Sequence, residues 1–415
     1  MKILVSAYAC DPYLGSEPGV GWAGVCRIAR SHEVFVLTGD RNRAGWEKAA
    51  AEQQIPQNIH ARFLRHCEPY SENRLIARLQ SWFYYWQFNR LVLKAAEEWH
   101  REECFDLCHQ LTIAAWRMPS PLWRLPIPFV WGPIGGAGYI PPEFRSMLSL
   151  SARCFERARD LSTFVSSHSR AFRNCMQNAA VVIAANEETE AFLQPYRGGR
   201  PVLRLPVTSL SAEMVRQFKR PASAKTASGP LKLFAGGNME GRKGVCLALR
   251  ALAVVASKGV DFHYTVAGGG PEIASLQALA TQLKLSDKVE FHPGFQGEDY
   301  RRALWNADVY FLPSFRETMG MTMVEAMLAG CYAVVADTSA QGEIVRLAGG
   351  AAVPVTTMDE LVGGLADAVL WCHTHREELG NIAAQTIPII VENFSAERYD
   401  RVIEATYQTA IGPLD

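Results

Sequence analysis

The chain has 415 residues, 48% of them hydrophobic, with 42 Lys plus Arg against 42 Asp plus Glu. A chain of this size and composition is globular and long enough for two hydrophobic cores. Residues 1–210 carry 24 basic and 19 acidic side chains and the rest carry 18 and 23, too slight an imbalance for a nucleic-acid partner.

The ten cysteines are scattered. Cys104 and Cys108 have no second pair to complete a zinc site, so no metal is expected, and a reducing cytoplasm is the expected setting. No apolar run reaches the ~18 residues of a spanning helix.

In chain order, residues 3–7 read as a buried strand. The run is too short for an export signal, and Asp11-Pro12 follows at once. The glycine-rich stretch DPYLGSEPGVGW (11–22) leads into a helix ending near residues 29–30, and residues 33–38 form the next strand. This is the βαβ opening of a doubly wound domain. Gly15, Gly19 and Gly21 could let a ligand phosphate approach the helix amides. Their spacing differs from the dinucleotide fingerprint, and Thr38-Gly39 stands where that fingerprint needs an acid, which disfavours a nicotinamide enzyme.

Residues 74–101 read as one long helix carrying Trp82, Phe83, Tyr84, Tyr85, Trp86 and Phe88, with Arg74, Arg78 and Arg90 around them. Two readings stay open: a core helix, or a peripheral surface meeting lipid or a lipid-linked substrate. Residues 105–109, FDLCH, read as a strand ending in His109 at its carboxyl edge. Residues 127–131 are another strand, followed by the turn GPIGGAG. Strands over 181–185 and 202–205 close a first domain of residues 1–210. Residues 211–230, ending in PASAKTASGP, read as the linker.

The alternation then restarts. A strand over 231–235 runs into GGNMEGRKG and a helix. A strand over 262–267 runs into GGGP and a helix, with Pro271 in its first turn. A strand over 289–292 and a helix over 297–306 follow. Gly236, Gly237 and Gly244 flank Arg242 and Lys243 just before a helix, so amides, helix dipole and two cations together suit an anion.

Residues 309–336, VYFLPSFRETMGMTMVEAMLAGCYAVVA, read as strand, loop, helix, strand. Thr322 with Glu325 fits a capping box, in which Glu325 would serve only the backbone. Glu317 beside Arg316 fits a surface ion pair. Against these readings, the Arg242-Lys243 loop, the GGGP loop and the Glu317–Glu325 stretch all fall at carboxyl ends of strands in one sheet, the ligand edge of such folds.

PSFRETMGMTMVEAMLAG, Arg242-Lys243-Gly244, GGGP, Gly342-Glu343 and FSAERYDRVIEATY (394–407) together resemble the family 4 glycosyltransferases. ACDPYLGSEPGVGW and GPIGG resemble members that build bacterial polysaccharides. The resemblance implies the GT-B fold: two doubly wound, Rossmann-like α/β domains with parallel sheets facing across a cleft. The second domain would span 231–393 and bind the nucleotide sugar, and residues 394–415 would form a helix crossing back to the acceptor-binding first domain.

It also implies a retaining, metal-independent transfer of sugar from a nucleotide diphosphate sugar to a glycan or lipid-linked acceptor, with no cofactor, at the inner face of the membrane. Glu317 would contact the donor sugar. Arg242 and Lys243 would neutralise the diphosphate, with Gly19 brought against it from the first domain. Met319, Gly320, Met321 and Thr322 would hold sugar and phosphate, and Glu325 the ribose. Gly268 and Asn238 would line the donor site, Asn238 standing where the family often has arginine. His109 would lie near the reacting sugar. An epimerase or phosphorylase of the same architecture, and an inactive nucleotide-sugar-binding partner of an assembly complex, are the alternatives.

Overall fold

The computed structural model describes residues 1–65, 74–221 and 229–412. Two all-parallel sheets organise it. The first contains β1 (Lys2–Ala7), β2 (Glu33–Gly39), β3 (Ile59–Leu64), β4 (Leu107–Thr112), β5 (Phe129–Ile134), β6 (Val181–Ala184) and β7 (Val202–Arg204). Their order is β3-β2-β1-β4-β5-β6-β7. The second contains β8 (Leu231–Gly236), β9 (Phe262–Ala267), β10 (Val289–His292), β11 (Val309–Phe311), β12 (Tyr332–Ala336) and β13 (Ala351–Val353), in the order β10-β9-β8-β11-β12-β13. In each sheet the order reverses beside the first strand, which opens a crevice at the strands' carboxyl ends.

The strands are apolar on both faces because helices cover both. In β1, Ile3, Val5 and Ala7 join one core cluster while Leu4 joins another, the period-two split of a strand. The helix Arg74–Glu103 covers Leu4's side through Tyr85, Phe88, Val92, Ala96 and Trp99. Its side chains Phe83 and Trp86 face solvent. The side chains of Arg74, Arg78 and Trp82 lie outside the described ones.

The other face of the first sheet is covered by the helix Ala396–Ile411, whose Tyr399, Ile403 and Tyr407 pack with Ile3 and Val5. Arg27 and Arg30 pair with Asp400, and His32 with Glu404. This helix follows Arg376–Phe394, which packs against the second domain's helices. The chain therefore returns to its first domain, and Leu210 and Ser395 pair at the crossing.

Two boundaries differ from the sequence reading. Ala212–Phe218, expected in the linker, is a helix whose Phe218 belongs to the second domain's core; Ser211 caps it by accepting from the Met214 amide. Of PASAKTASGP, residues 222–228 lie outside the described residues. Conversely, Ile140, Phe144 and Leu148 of the first domain pack into the second domain's core. Among the described residues no helix is long and apolar enough to cross a membrane.

Candidate active site

The site forms where three loops leave β8, β9 and β11. These strands lie side by side, so their carboxyl ends bring the loops together. Glycine makes the approach possible. Gly268 has φ +131° and a Cβ there would lie 2.0 Å from the Gly237 carbonyl oxygen. Gly244, at φ +66°, would clash likewise with the Pro313 carbonyl at 2.1 Å. No other residue type fits either position without moving backbone.

Residues 241–243 form a single helical turn ahead of the helix Val245–Ser257. The turn is stitched to the loop after β11. The Phe315 amide donates to the Arg242 carbonyl at 2.8 Å, and the Ser314 hydroxyl donates to the same carbonyl at 3.1 Å. Both cations thereby meet Glu317. Its Oε1 accepts from Lys243 Nζ at 2.6 Å, Ser314 Oγ at 2.9 Å and Arg242 at 3.1 Å.

Burial alone would raise the Glu317 carboxyl's pKa, but Lys243 and Arg242 outweigh it and hold the group below its ordinary value. Arg242 is also desolvated, yet Glu317 and Glu240 keep its pKa raised. A second guanidinium bond reaches Glu240 at 2.8 Å and a third the Arg316 carbonyl at 2.7 Å. Glu317 is thus no surface partner of Arg316. That arginine makes a two-pronged pair with buried Glu156 of the first domain, at 2.8 and 2.9 Å.

The expected capping box does not form. The helix is Met321–Leu328, and its N-cap is Gly320 at φ +73°, with no side-chain cap. A left-handed entry residue sets the start two positions before Thr322, so Thr322 is already inside. The side chains of this short helix leave its first amides uncapped, beside the Arg242-Lys243 turn: a Cβ on Gly236 would lie 2.8 Å from Thr322 Cγ2. Free amides at a helix start favour an anion.

Glu325 instead accepts from the Tyr300 hydroxyl at 2.6 Å. Burial raises its pKa, and the Tyr300 bond partly offsets that. Met319 is buried beneath the loop, and Asn238 is exposed and donates to Glu240 at 3.0 Å.

The first domain closes over this edge. A Cβ on Gly135 would lie 2.6 Å from Thr318 Cγ2, and one on Gly138 would lie 3.0 Å from Arg316 Cγ, so the GPIGGAG turn rests on the loop that carries Glu317. The Asn186 side chain donates to the Glu317 and Thr318 carbonyls at 3.3 Å. Gly19 lies in the first turn of the helix Glu17–Ile28 rather than in the preceding loop, packed under the Leu14 carbonyl.

His109 requires a correction. It is the third residue of β4, not its last, and pairs in register with Val5 and Val130. It is fully buried; Nδ1 meets the Tyr407 hydroxyl at 2.7 Å and Nε2 the Gly132 carbonyl oxygen at 2.6 Å. Burial drives its pKa down to about 4. Both nitrogens are occupied by the fold, so His109 ties the returning helix to β5 and does not face the cleft.

Ser314, Tyr300, Asn186 and the Glu156–Arg316 pair escaped the sequence reading. Ser314 had a visible signal, since the Pro-Ser pair marks the end of β11. The others depend on contacts between residues far apart in the chain. Among the described residues no cluster of three or more His, Cys, Asp or Glu could hold a metal ion.

Residues 216–386 match the family model described as glycosyl transferases group 1. The second domain belongs to this family. That agrees with the resemblance carried by the Glu317–Glu325 stretch and the Arg242-Lys243 turn.

A putative colanic acid biosynthesis glycosyltransferase, WcaL, of Salmonella typhimurium is 26% identical over 219 residues, covering 51% of this chain and 52% of that protein. The 2-deoxystreptamine glucosyltransferase of Streptomyces kanamyceticus is 36% identical over 117 residues, covering 28% and 30%. The chain spans about half or less of the length of these two curated relatives.

Among solved structures, Anabaena HepE in complex with UDP and glucose superposes with a TM-score of 0.63 at 18% identity, covering 99% of this chain and 100% of that one. WaaG, a glycosyltransferase involved in lipopolysaccharide biosynthesis, gives 0.59 at 16% identity over 99% and 100%. The two parallel sheets therefore form the fold of these proteins, two Rossmann-like domains across a cleft.

Proposed function

We propose that the protein is a retaining glycosyltransferase that moves a sugar from a nucleotide diphosphate sugar to a glycan or lipid-linked glycan in bacterial polysaccharide synthesis. The observation that carries the reading is Glu317 held by Lys243, Arg242 and Ser314 beside the uncapped start of Met321–Leu328. A fixed carboxylate suits sugar hydroxyls, while the adjoining cations and amides suit a diphosphate. The likeness of the second domain to group 1 glycosyl transferases and of the fold to a UDP-bound protein supports it.

In this reading the diphosphate leaves against Arg242, Lys243 and the amides of residues 319–322, so charge developing on the leaving group meets donors already in position. Glu317 orients the sugar and Glu325 takes the ribose. Gly268 and Asn238 line the donor site, and Gly19 lets the first domain approach the phosphates. The acceptor oxygen attacks the anomeric carbon from the face the diphosphate leaves, and a phosphate oxygen takes its proton. The reaction uses neither metal nor cofactor. The protein works in the cytoplasm at the membrane's inner face, with the exposed Phe83 and Trp86 of Arg74–Glu103 as a peripheral contact.

The test is a thermal-shift screen of nucleotides and nucleotide sugars, since a ligand that binds the native state raises its melting temperature. Release of the nucleotide diphosphate from the best donor in the presence of acceptor is then measured. The reading predicts transfer by the wild type and its loss in Glu317→Ala. Full transfer by Glu317→Ala would refute the site. Donor consumption without acceptor would favour an epimerase, and a free sugar phosphate a phosphorylase.

A further inference from the structure

The helix Leu150–His168 presents two unlike faces. Its inward side is held by polar contacts: Glu156 to Arg316, and Thr163 to Arg117. Ala152 and Glu156 also line a cavity of about 380 Å³ shared with Arg242 and Arg316. Its outward side is apolar and bare. Leu150 is 74% exposed, Leu161 65%, Phe164 63% and Val165 59%.

With Cys154, Arg157 and His168, these residues recur at helical spacing, so they form one stripe along the whole 19-residue helix. At 1.5 Å per residue the stripe is roughly 28 Å long. A soluble surface rarely carries a continuous apolar strip of this kind without a use.

The charge around the stripe says what covers it. Arg157 lies within it, and Arg170 and Arg173 follow at its carboxyl end; all three are exposed. None of the three has an acidic partner among the described residues. The nearest acid in sequence on the exposed part of the helix, Asp160, is engaged by Arg145. A stripe of leucine, phenylalanine and valine edged by unpaired arginines matches a surface with apolar depth and negative headgroups.

We propose that the outer face of Leu150–His168 docks on an anionic phospholipid bilayer. Lying in the headgroup plane, the helix sinks Leu161, Phe164 and Val165 into the acyl boundary while the arginines meet phosphates. Its other face then holds the cavity beside Arg242 about one helix diameter, ~10 Å, above the lipid. A saccharide on a lipid anchor in that bilayer would need to rise only this far. This surface is separate from the exposed aromatics of Arg74–Glu103, and its assignment needs no turnover.

The experiment is flotation of the full chain with phosphatidylcholine vesicles, with and without phosphatidylglycerol, at low and high salt. The wild type should bind the anionic vesicles, less so at high salt. Leu161→Gln with Phe164→Gln should lower partitioning by about tenfold or more, the worth of burying two such side chains. Arg157→Gln with Arg170→Gln and Arg173→Gln should remove the preference for phosphatidylglycerol. All these side chains are exposed, and unchanged melting temperatures verify that the variants fold.

No binding by the wild type overturns the inference. So does binding that survives in the Leu161/Phe164 variant but is lost in Phe83→Gln with Trp86→Gln. A concentration-dependent dimer that the Leu161/Phe164 variant abolishes would also overturn it, by making a second copy the occupant. Vesicle binding is read without donor or acceptor, so it stands or falls apart from the transferase reading.

Discussion

Replacing Glu317 by Gln keeps the side chain's size and removes the charge shared by two cations. The side chain of Lys243 is 8% exposed and that of Arg242 24%, so neither cation recovers full hydration. Taking one partner from a buried charge group costs about 3–5 kcal/mol. The lower end applies here because Arg242 keeps Glu240, which puts the loss at about 3 kcal/mol.

A unit of 150–250 residues loses about 2–4 °C per kcal/mol, so the second domain should melt roughly 6–12 °C lower. A bound diphosphate supplies negative charge to the same cations. Saturating UDP should therefore raise the melting temperature of Glu317→Gln by more than that of the wild type and narrow the gap to less than half. Differential scanning fluorimetry with and without UDP measures both. An equal gap in the two conditions, or no destabilisation without UDP, would show that Glu317 does not balance the charges of Arg242 and Lys243.

His109→Phe should cost about 2 kcal/mol or more in denaturant titrations, because the Tyr407 hydroxyl and Gly132 carbonyl lose a buried partner, while UDP affinity stays unchanged. The histidine's folded pKa of about 4 lies below its ordinary 6.5, so wild-type stability should fall as pH drops from 6.5 towards 4, and the variant should lose that slope. Glu188 has the opposite sign. Burial raises its pKa from 4.5 to about 7, so its contribution is lost as pH rises through that interval, and Glu188→Gln should flatten stability there. Arg316→Ala leaves Glu156 buried without its partner and should cost about 3 kcal/mol; adding Glu156→Gln should recover part of the loss in a double-mutant cycle.

The sheets, the three ligand-edge loops and the returning helix were legible because each has a local mark. Strands read as short β-branched runs, glycines punctuate the turns, and Pro-Ser ends β11. What was hidden depends on register or distance. An apolar strand buried on both faces does not reveal where it stops, so His109 looked terminal although β4 runs on to Thr112. Thr322 and Glu325 have capping-box spacing, but Gly320 moves the helix start ahead of them. Ala212–Phe218 looked like linker because a seven-residue helix carries too little periodicity to read. Glu156 meets Arg316 across 160 positions, a pairing that no local pattern encodes.

The returning helix also bears on the order of synthesis. Ile3, Val5 and His109 leave the ribosome early, yet one face of their sheet is completed only by Tyr399, Ile403 and Tyr407. Domains generally mature in the order they are made. Here the one made first must wait with an open apolar face until its partner has been translated. A nascent chain stalled before residue 396 should therefore be a client for chaperones that hold exposed apolar surface, and release should follow translation of the last helix.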